Sequence, residues 1–261
     1  MPVKREALQN QSRQNQSRRA NGQFGYAFYK QDPINIADLV AKCGGSVELD
    51  CEDLHNACLV GVNWQKAQVM RSNFTDADFA MADLRNARLE DSNFEGADLT
   101  DADLTDADLS LSYFHNTCFR GAKLSGARLT SAYLVGARLR GTQLDGAKMW
   151  AAQLNGADLE GAQLTEAELV LVDLQGTNLI GAQMRDANLC GADLRNADLS
   201  GANLKGAKLG DARLHGTNFQ CADLTDVDLL GAEWDKTTVW PDDFDMSVLL
   251  QGAEEYNGSE E

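Results

Sequence analysis

The chain lacks the features of a membrane-spanning or secreted protein. No stretch approaches the roughly 20 apolar residues of a spanning helix, and the first thirty residues contain no apolar run of the signal-peptide type. The six cysteines are scattered without a Cys-x-x-Cys pair, so the sequence indicates neither a zinc site nor a dense disulfide framework. We therefore expect a soluble, cytoplasmic protein.

Basic charge and catalytic motifs are scarce as well. The chain has 23 Lys and Arg residues but 40 Asp and Glu residues. The resulting net charge of -17 argues against direct binding of nucleic acid. The chain has no glycine-rich phosphate loop and no glycine-aspartate nonapeptide of the calcium-binding type. Of its three histidines, His55 is expected near the N-terminal cap, whereas His115 and His215 are expected about five coils apart, too far to share a metal. The sequence thus predicts a protein that is not an enzyme and that needs no cofactor or metal.

The chain is instead dominated by a five-residue period. Large apolar residues, mostly Leu, stand at every fifth position from Leu59 to Val239, and Ala, Thr, Ser or Val stands two residues before each of them. An α-helix would spread these leucines around its circumference, and a straight strand would place alternate leucines on opposite faces. The backbone must therefore bend once in every repeat.

Turn-forming residues occur where this bend is needed. Gly recurs two residues after the large apolar residue, as at Gly96 and Gly121, and Asp or Asn often replaces it, as at Asp101. The three prolines all lie outside the repeats, so no backbone donor is lost from the expected ladders. Each repeat is thus a short extended piece followed by a corner, with the large and small residues pointing inward.

Units such as Ala97-Asp98-Leu99-Thr100-Asp101 and Ala202-Asn203-Leu204-Lys205-Gly206 resemble the A-(D/N)-L-x-x motif of the pentapeptide-repeat family. The resemblance covers about 70% of the chain. It implies an all-β solenoid, a right-handed quadrilateral β-helix of about nine coils with four repeats per coil. Short helical caps are expected to cover the unpaired edges at its two ends.

The chain divides into four predicted parts. They are a disordered basic tail rich in Gln, Asn, Ser and Arg (1–34), a helical cap with a first irregular coil (35–54), the repeats (55–239), and a C-terminal cap with an acidic tail (240–261). The tail carries four aromatic residues that form a recognition segment or pack along the solenoid, namely Phe24, Tyr26, Phe28 and Tyr29. The segment Thr238–Phe244 resembles closing sequences of bacterial family members, and it either plugs the last coil or forms a homodimer interface.

Two functions remain open at this point. The first is a scaffold or regulatory protein that binds a protein partner on an outer face. The second is a DNA mimic that modulates DNA gyrase or topoisomerase, as in the fluoroquinolone-resistance branch of the family. The net charge is -9 over residues 52–110, +3 over 111–160 and -11 over 216–261. A duplex mimic needs negative potential along its length, so this distribution favours the scaffold.

One corner of the predicted β-helix is unusually apolar. Thr, Asp or Asn would be ordinary at its positions. The residues there, which we call the docking patch, are Leu111, Tyr113, Tyr133, Trp150, Val170 and Leu171. Basic residues are expected to lie beside it, namely Arg128, Arg138, Arg140 and Lys148. A contiguous patch that includes Trp and Tyr has the composition of an interaction hot spot.

Overall fold

The computed structural model of the chain describes residues 47–245, 247 and 254–255. The named strands are β1 (Glu48–Asp50), β2 (Gln68–Met70), β3 (Glu233–Trp234) and β4 (Glu254–Glu255), with β1 parallel to β2 and β3 parallel to β4. Between these strands, successive coils are joined by parallel β-bridges of one residue each. The predicted tail (1–34), the N-terminal cap helix and most of the predicted C-terminal helix lie outside the described residues.

The bridges repeat with a register of twenty residues. Asp98, for example, pairs with Asp78 in the preceding coil and with Cys118 in the next one. Four such ladders run through the described repeats, because the middle residue of every repeat forms a bridge and four repeats separate it from its partner. Residues twenty apart in the sequence are therefore neighbours along the solenoid axis.

Every backbone N–H of the repeat Ala97–Asp101 has an acceptor. The amides of Asp98, Leu99 and Asp101 donate to carbonyls of neighbouring coils at 2.9, 2.7 and 3.0 Å. The Ala97 amide closes the preceding turn on Phe94 O at 3.0 Å. The Thr100 amide has no such carbonyl, and the Asp98 carboxylate accepts its hydrogen bond at 2.9 Å. The Asp or Asn of the motif thus caps the turn in addition to pointing outward.

The interior confirms the predicted alternation of large and small inward residues. Every large residue from Leu54 to Leu229 is buried, and the small residues between them are mostly buried alanines. In one column Phe74, Phe94 and Phe114 stack with ring centroids 4.8 and 5.0 Å apart. The interior of the described coils is therefore filled with packed apolar side chains.

The repeat frame continues N-terminal to Leu59. Leu49 and Leu54 are buried, and Leu49 pairs with Val69, so residues 47–54 stack in register on the next coil. Glu52 occupies a small-residue position there. Burial, together with the charges of Asp50 and Asp53, raises the pKa of the Glu52 carboxyl.

The prediction that Val239 points inward is wrong. Arg213 pairs with Glu233 at a register of twenty, whereas Asn218 pairs with Val239 at twenty-one, so the last turn contains one extra residue. Val239 is consequently 47% exposed. Trp240 takes the inward place and stacks on Phe219 at 5.2 Å, and Phe244 stacks on Trp240 at 4.9 Å.

Candidate interaction surface

The docking patch spans one corner and an adjacent ladder. Leu111 and Leu171 occupy the left-handed corner position, with φ of 62° and 56°, where Gly, Asp or Asn is ordinary. Leu111 and Leu171 are 53% and 63% exposed, and the neighbouring corner residue Trp150 is 48% exposed. Val170 precedes Leu171 at the same corner and is half-buried. The predicted apolar corner is therefore solvent-exposed in the folded chain.

Tyr113 and Tyr133 flank the corner as direct bridge partners in one ladder. Their rings stack with centroids 4.8 Å apart and an interplanar angle of 4°. The His115 ring lies beside both, at 6.3 and 6.5 Å from the two tyrosine rings. Stacking between successive coils restricts the rotamers of both tyrosines, which reduces the entropy lost when a partner contacts them.

Trp150 is held toward the opposite flank. Its indole Nε1–H donates a hydrogen bond to the Glu168 carboxylate at 3.1 Å. Glu168 pairs with Lys148 in the ladder on that side, so the exposed Trp150 ring lies next to a charged pair of residues. This arrangement joins an apolar surface to oriented charges, which is typical of an interface hot spot.

The structure does not bring the four predicted basic residues together. Arg128 and Lys148 are bridge partners in the ladder beside the corner, but Arg138 belongs to the ladder half a coil away. Arg140 lies near Arg138 in sequence and forms an ion pair with Glu160. Only Arg128 and Lys148 therefore flank the docking patch, because a separation of ten residues corresponds to half of the twenty-residue coil.

A further feature of this region escaped the sequence analysis. From Tyr113 to Gln153, every repeat lacks the Asp or Asn that caps the turn in repeats such as Ala97–Asp101. The residues in that place are Tyr113, Cys118, Lys123, Arg128, Tyr133, Arg138, Gln143, Lys148 and Gln153. Elsewhere between residues 58 and 233, no more than two successive repeats lack it. These nine successive repeats without Asp or Asn can be found in the sequence once the capping role of that position is known.

The described part of the chain shows no cluster of catalytic or metal-binding groups. No set of three or more His, Cys, Asp or Glu residues in it is arranged to hold a metal ion. Two depressions lie at the ends of the described solenoid, one lined by Asp223 and Phe244 and the other by Leu49 and Gln68. No helix within the described residues is long and apolar enough to cross a membrane.

Comparison with known proteins gives the same repeat. The family model for pentapeptide repeats matches in eight copies, over residues 53–91, 87–126, 122–161, 157–196, 167–206 and 197–232. The chain belongs to the pentapeptide-repeat family. A search of curated proteins found no match.

Solved structures of other pentapeptide-repeat proteins are similar to this chain. HetL from the cyanobacterium Nostoc sp. strain PCC 7120, which is involved in the regulation of heterocyst differentiation, is 33% identical. The match covers 71% of this chain and 86% of HetL, with a TM-score of 0.39. QnrB1, a plasmid-mediated fluoroquinolone resistance protein, is 19% identical over 73% of this chain and 92% of its own, with a TM-score of 0.41.

Proposed function

We propose that the chain is a non-catalytic scaffold or regulatory protein that binds a protein partner through the outer surface of its β-helix. The docking patch is its principal contact surface, and Arg128 and Lys148 steer the partner. We also propose that the β-helix is right-handed and four-sided, with about nine coils and a cap at each end. Its proposed location is the cytoplasm.

The observation that carries the proposal is the coincidence of two departures from the motif. The uncapped repeats from Tyr113 to Gln153 contain the stacked tyrosines and Trp150, and they begin directly after the repeat that ends in Leu111. Repeats that only had to fold would keep the turn-capping Asp or Asn and a polar corner. Loss of both in the same coils supports selection for surface chemistry at some expense in local stability.

DNA mimicry is the alternative that the family suggests, and the charge distribution weighs against it. Residues 111–160 carry a net charge of +3 between two acidic regions. An inhibitor that imitates a duplex presents phosphate-like charge continuously, and a positive segment in the middle would repel the basic channel of the target enzyme. Exposed Leu111 and Trp150 also occupy this segment, whereas a duplex mimic would present carboxylates there.

The test is a double substitution, Trp150→Ala with Leu171→Ser, in the full-length protein. We expect capture of protein partners from the native host, quantified by mass spectrometry, to fall about tenfold, because aromatic and apolar anchors dominate interface energies. The matched control is Ile180→Ser, which removes an exposed apolar side chain from the corner half a coil away. Unchanged capture by the double variant, with an intact circular dichroism spectrum, would refute this function.

A further inference from the structure

The docking patch is part of a longer corner that is almost uncharged. From Ser110 to Gly231, Asp211 is the one charged residue among its fourteen positions. These residues, the apolar corner, are Ser110, Leu111, Thr130, Ser131, Trp150, Ala151, Val170, Leu171, Cys190, Gly191, Gly210, Asp211, Leu230 and Gly231. The corner half a coil away contains Asp101, Arg120, Arg140 and Glu160 over a similar length.

We propose that a second copy of this chain occupies the apolar corner, in an antiparallel dimer whose twofold axis lies between the coils of Trp150 and Leu171. This inference rests on the proposed function, because it names the partner that covers the docking patch. It is carried by the order of charges in the two ladders that flank the corner.

The first flanking ladder is antisymmetric in charge except at one pair, Arg128 with Asn188. Its residues in successive coils are Arg88, Asp108, Arg128, Lys148, Glu168, Asn188, Lys208 and Asp228. A twofold axis perpendicular to the solenoid places this ladder against its own copy in reverse order. With the axis between Lys148 and Glu168, the facing pairs are Lys148 with Glu168, Arg128 with Asn188, Asp108 with Lys208, and Arg88 with Asp228. No like charges meet.

The second flanking ladder fits the same axis. Its residues are Asn93, Tyr113, Tyr133, Gln153, Asp173, Asp193, Arg213 and Glu233. In reverse order, Gln153 faces Asp173, Tyr133 faces Asp193, Tyr113 faces Arg213, and Asn93 faces Glu233. These pairs allow tyrosine and amide hydrogen bonds to carboxylates and a cation–π contact, again without like charges.

The apolar corner itself is complementary about this axis. Next to the axis, exposed Leu171 faces Ala151 of the second copy and Trp150 faces Val170, and farther out Ser131 faces Gly191 and Leu111 faces Asp211. The two coils next to the axis thus present only apolar side chains to each other, with the large Leu171 against the small Ala151, which permits close packing where the corners approach. The Trp150–Glu168 hydrogen bond places the central carboxylate at the point where Lys148 of the second copy arrives.

Other arrangements of two copies bring like charges together. In a parallel pair, the first ladder faces the second at equal height, so Glu168 meets Asp173, Lys208 meets Arg213, and Asp228 meets Glu233. Moving the antiparallel axis along the solenoid until it passes through Lys148 places Lys148 against itself. Moving it the other way until it passes through Glu168 places Arg128 against Lys208. The sequence of charges therefore selects both the direction and the register.

The first experiment measures the association state of the full chain by sedimentation velocity at low and physiological salt. We expect a dimer that Lys148→Glu weakens at least about tenfold, because the substitution places a carboxylate against Glu168 at two points in each dimer. Combining Lys148→Glu with Glu168→Lys should recover most of the lost affinity, because opposite charges face each other again while the Trp150 hydrogen bond to Glu168 is lost. The matched control is Arg138→Glu, an exposed basic residue in the ladder half a coil away that likewise has an acidic bridge partner, Asp158.

The second experiment tests the register with a zero-length carbodiimide cross-linker. Lys208 and Asp108 are five coils apart in one ladder, about 24 Å at the usual strand spacing, so a direct bond between them must join two chains. We expect this cross-link in the dimer fraction. A monomeric chain, a dimer equally sensitive to Arg138→Glu, or a dimer without the cross-link overturns the inference. A monomer whose protein capture still depends on Trp150 and Leu171 would preserve the proposed function while refuting the dimer.

Discussion

At the residue scale, the motif is explained by the acceptors that the five backbone amides of each repeat require. In a repeat of the A-D-L-T-D type, four amides find backbone carbonyls and the fifth finds the Asp side chain two residues before it, as Thr100 does with Asp98. Glu or Gln cannot close this short ring as readily, which explains why Asp and Asn dominate the position. The sequence identified the position as outward-facing, but its periodicity carries no information about which amide lacks an acceptor.

Replacing several capping residues should therefore destabilise the solenoid. Asp98, Asp103 and Asp198 each accept the amide hydrogen bond of the residue two positions later, at 2.9, 3.1 and 2.9 Å. Changing all three to Ala should lower the free energy of unfolding by about 1.5–3 kcal/mol, since each net hydrogen bond contributes about 0.5–1 kcal/mol in an exposed turn.

The matched control changes the same three residues to Asn. This variant has the same net charge as the Ala variant but keeps the side-chain acceptor, so we expect wild-type stability within error. Urea unfolding followed by circular dichroism measures the difference. Equal stability of the Ala and Asn variants would show that these carboxylates act only as solubilising charges.

At the element scale, one column of turns uses a different bond. The Ser72 and Ser92 amides donate to the hydroxyls of Ser92 and Ser112 in the next coil, at 3.1 Å each. An ordinary repeat such as Ala77 donates instead to the carbonyl at the start of its own turn, at 3.0 Å. This serine column lies two residues before the stacked Phe74, Phe94 and Phe114. Hydroxyl acceptors thus accompany the phenylalanine column and leave its buried amides satisfied.

We predict that Ser92→Ala lowers stability by about 1–3 kcal/mol, because it leaves the buried Ser72 amide without an acceptor. Ser200→Ala is the control, since Ser200 lies at a partly exposed corner of an ordinary repeat. Thermal melting of both variants provides the comparison. If the two midpoints agree, the serine column does not contribute to the turn.

How far the sequence predicts the fold depends on whether an element obeys the period. The inward positions from Leu59 to Leu229 follow from the five-residue spacing, whereas the exposed corner follows from the four repeats per coil that the family resemblance implies. The extra residue before Val239 could not be predicted, since Val239 continues the apolar period and Trp240 is equally apolar. The grouping of Arg138 with Arg128 was wrong, because residues ten apart lie on opposite sides of a twenty-residue coil.

At the scale of the whole molecule, stability is distributed along the stack, because each coil contacts only its neighbours. We therefore expect the coils at the ends to open independently of those in the middle. At the C-terminal end of the described repeats, Trp240 lies between Phe219 and Phe244, with Trp234 packed edge-on at 6.2 Å. The inserted residue before it turns the chain so that an indole covers the last phenylalanine of the core.

Trp240→Ala should consequently unfold the end before the middle. We expect a loss of about 2 kcal/mol in the protection of the last coil, less than for a fully buried aromatic residue because Trp240 is only half-buried. Hydrogen exchange should accelerate for amides between residues 218 and 239, such as Phe219, while those around Phe94 retain wild-type protection. Val239→Ala serves as the control, since Val239 points outward and should change neither region. A uniform loss of protection along the solenoid would show instead that the coils unfold as one cooperative unit, and an effect of Val239→Ala equal to that of Trp240→Ala would restore the uninterrupted five-residue period at this end.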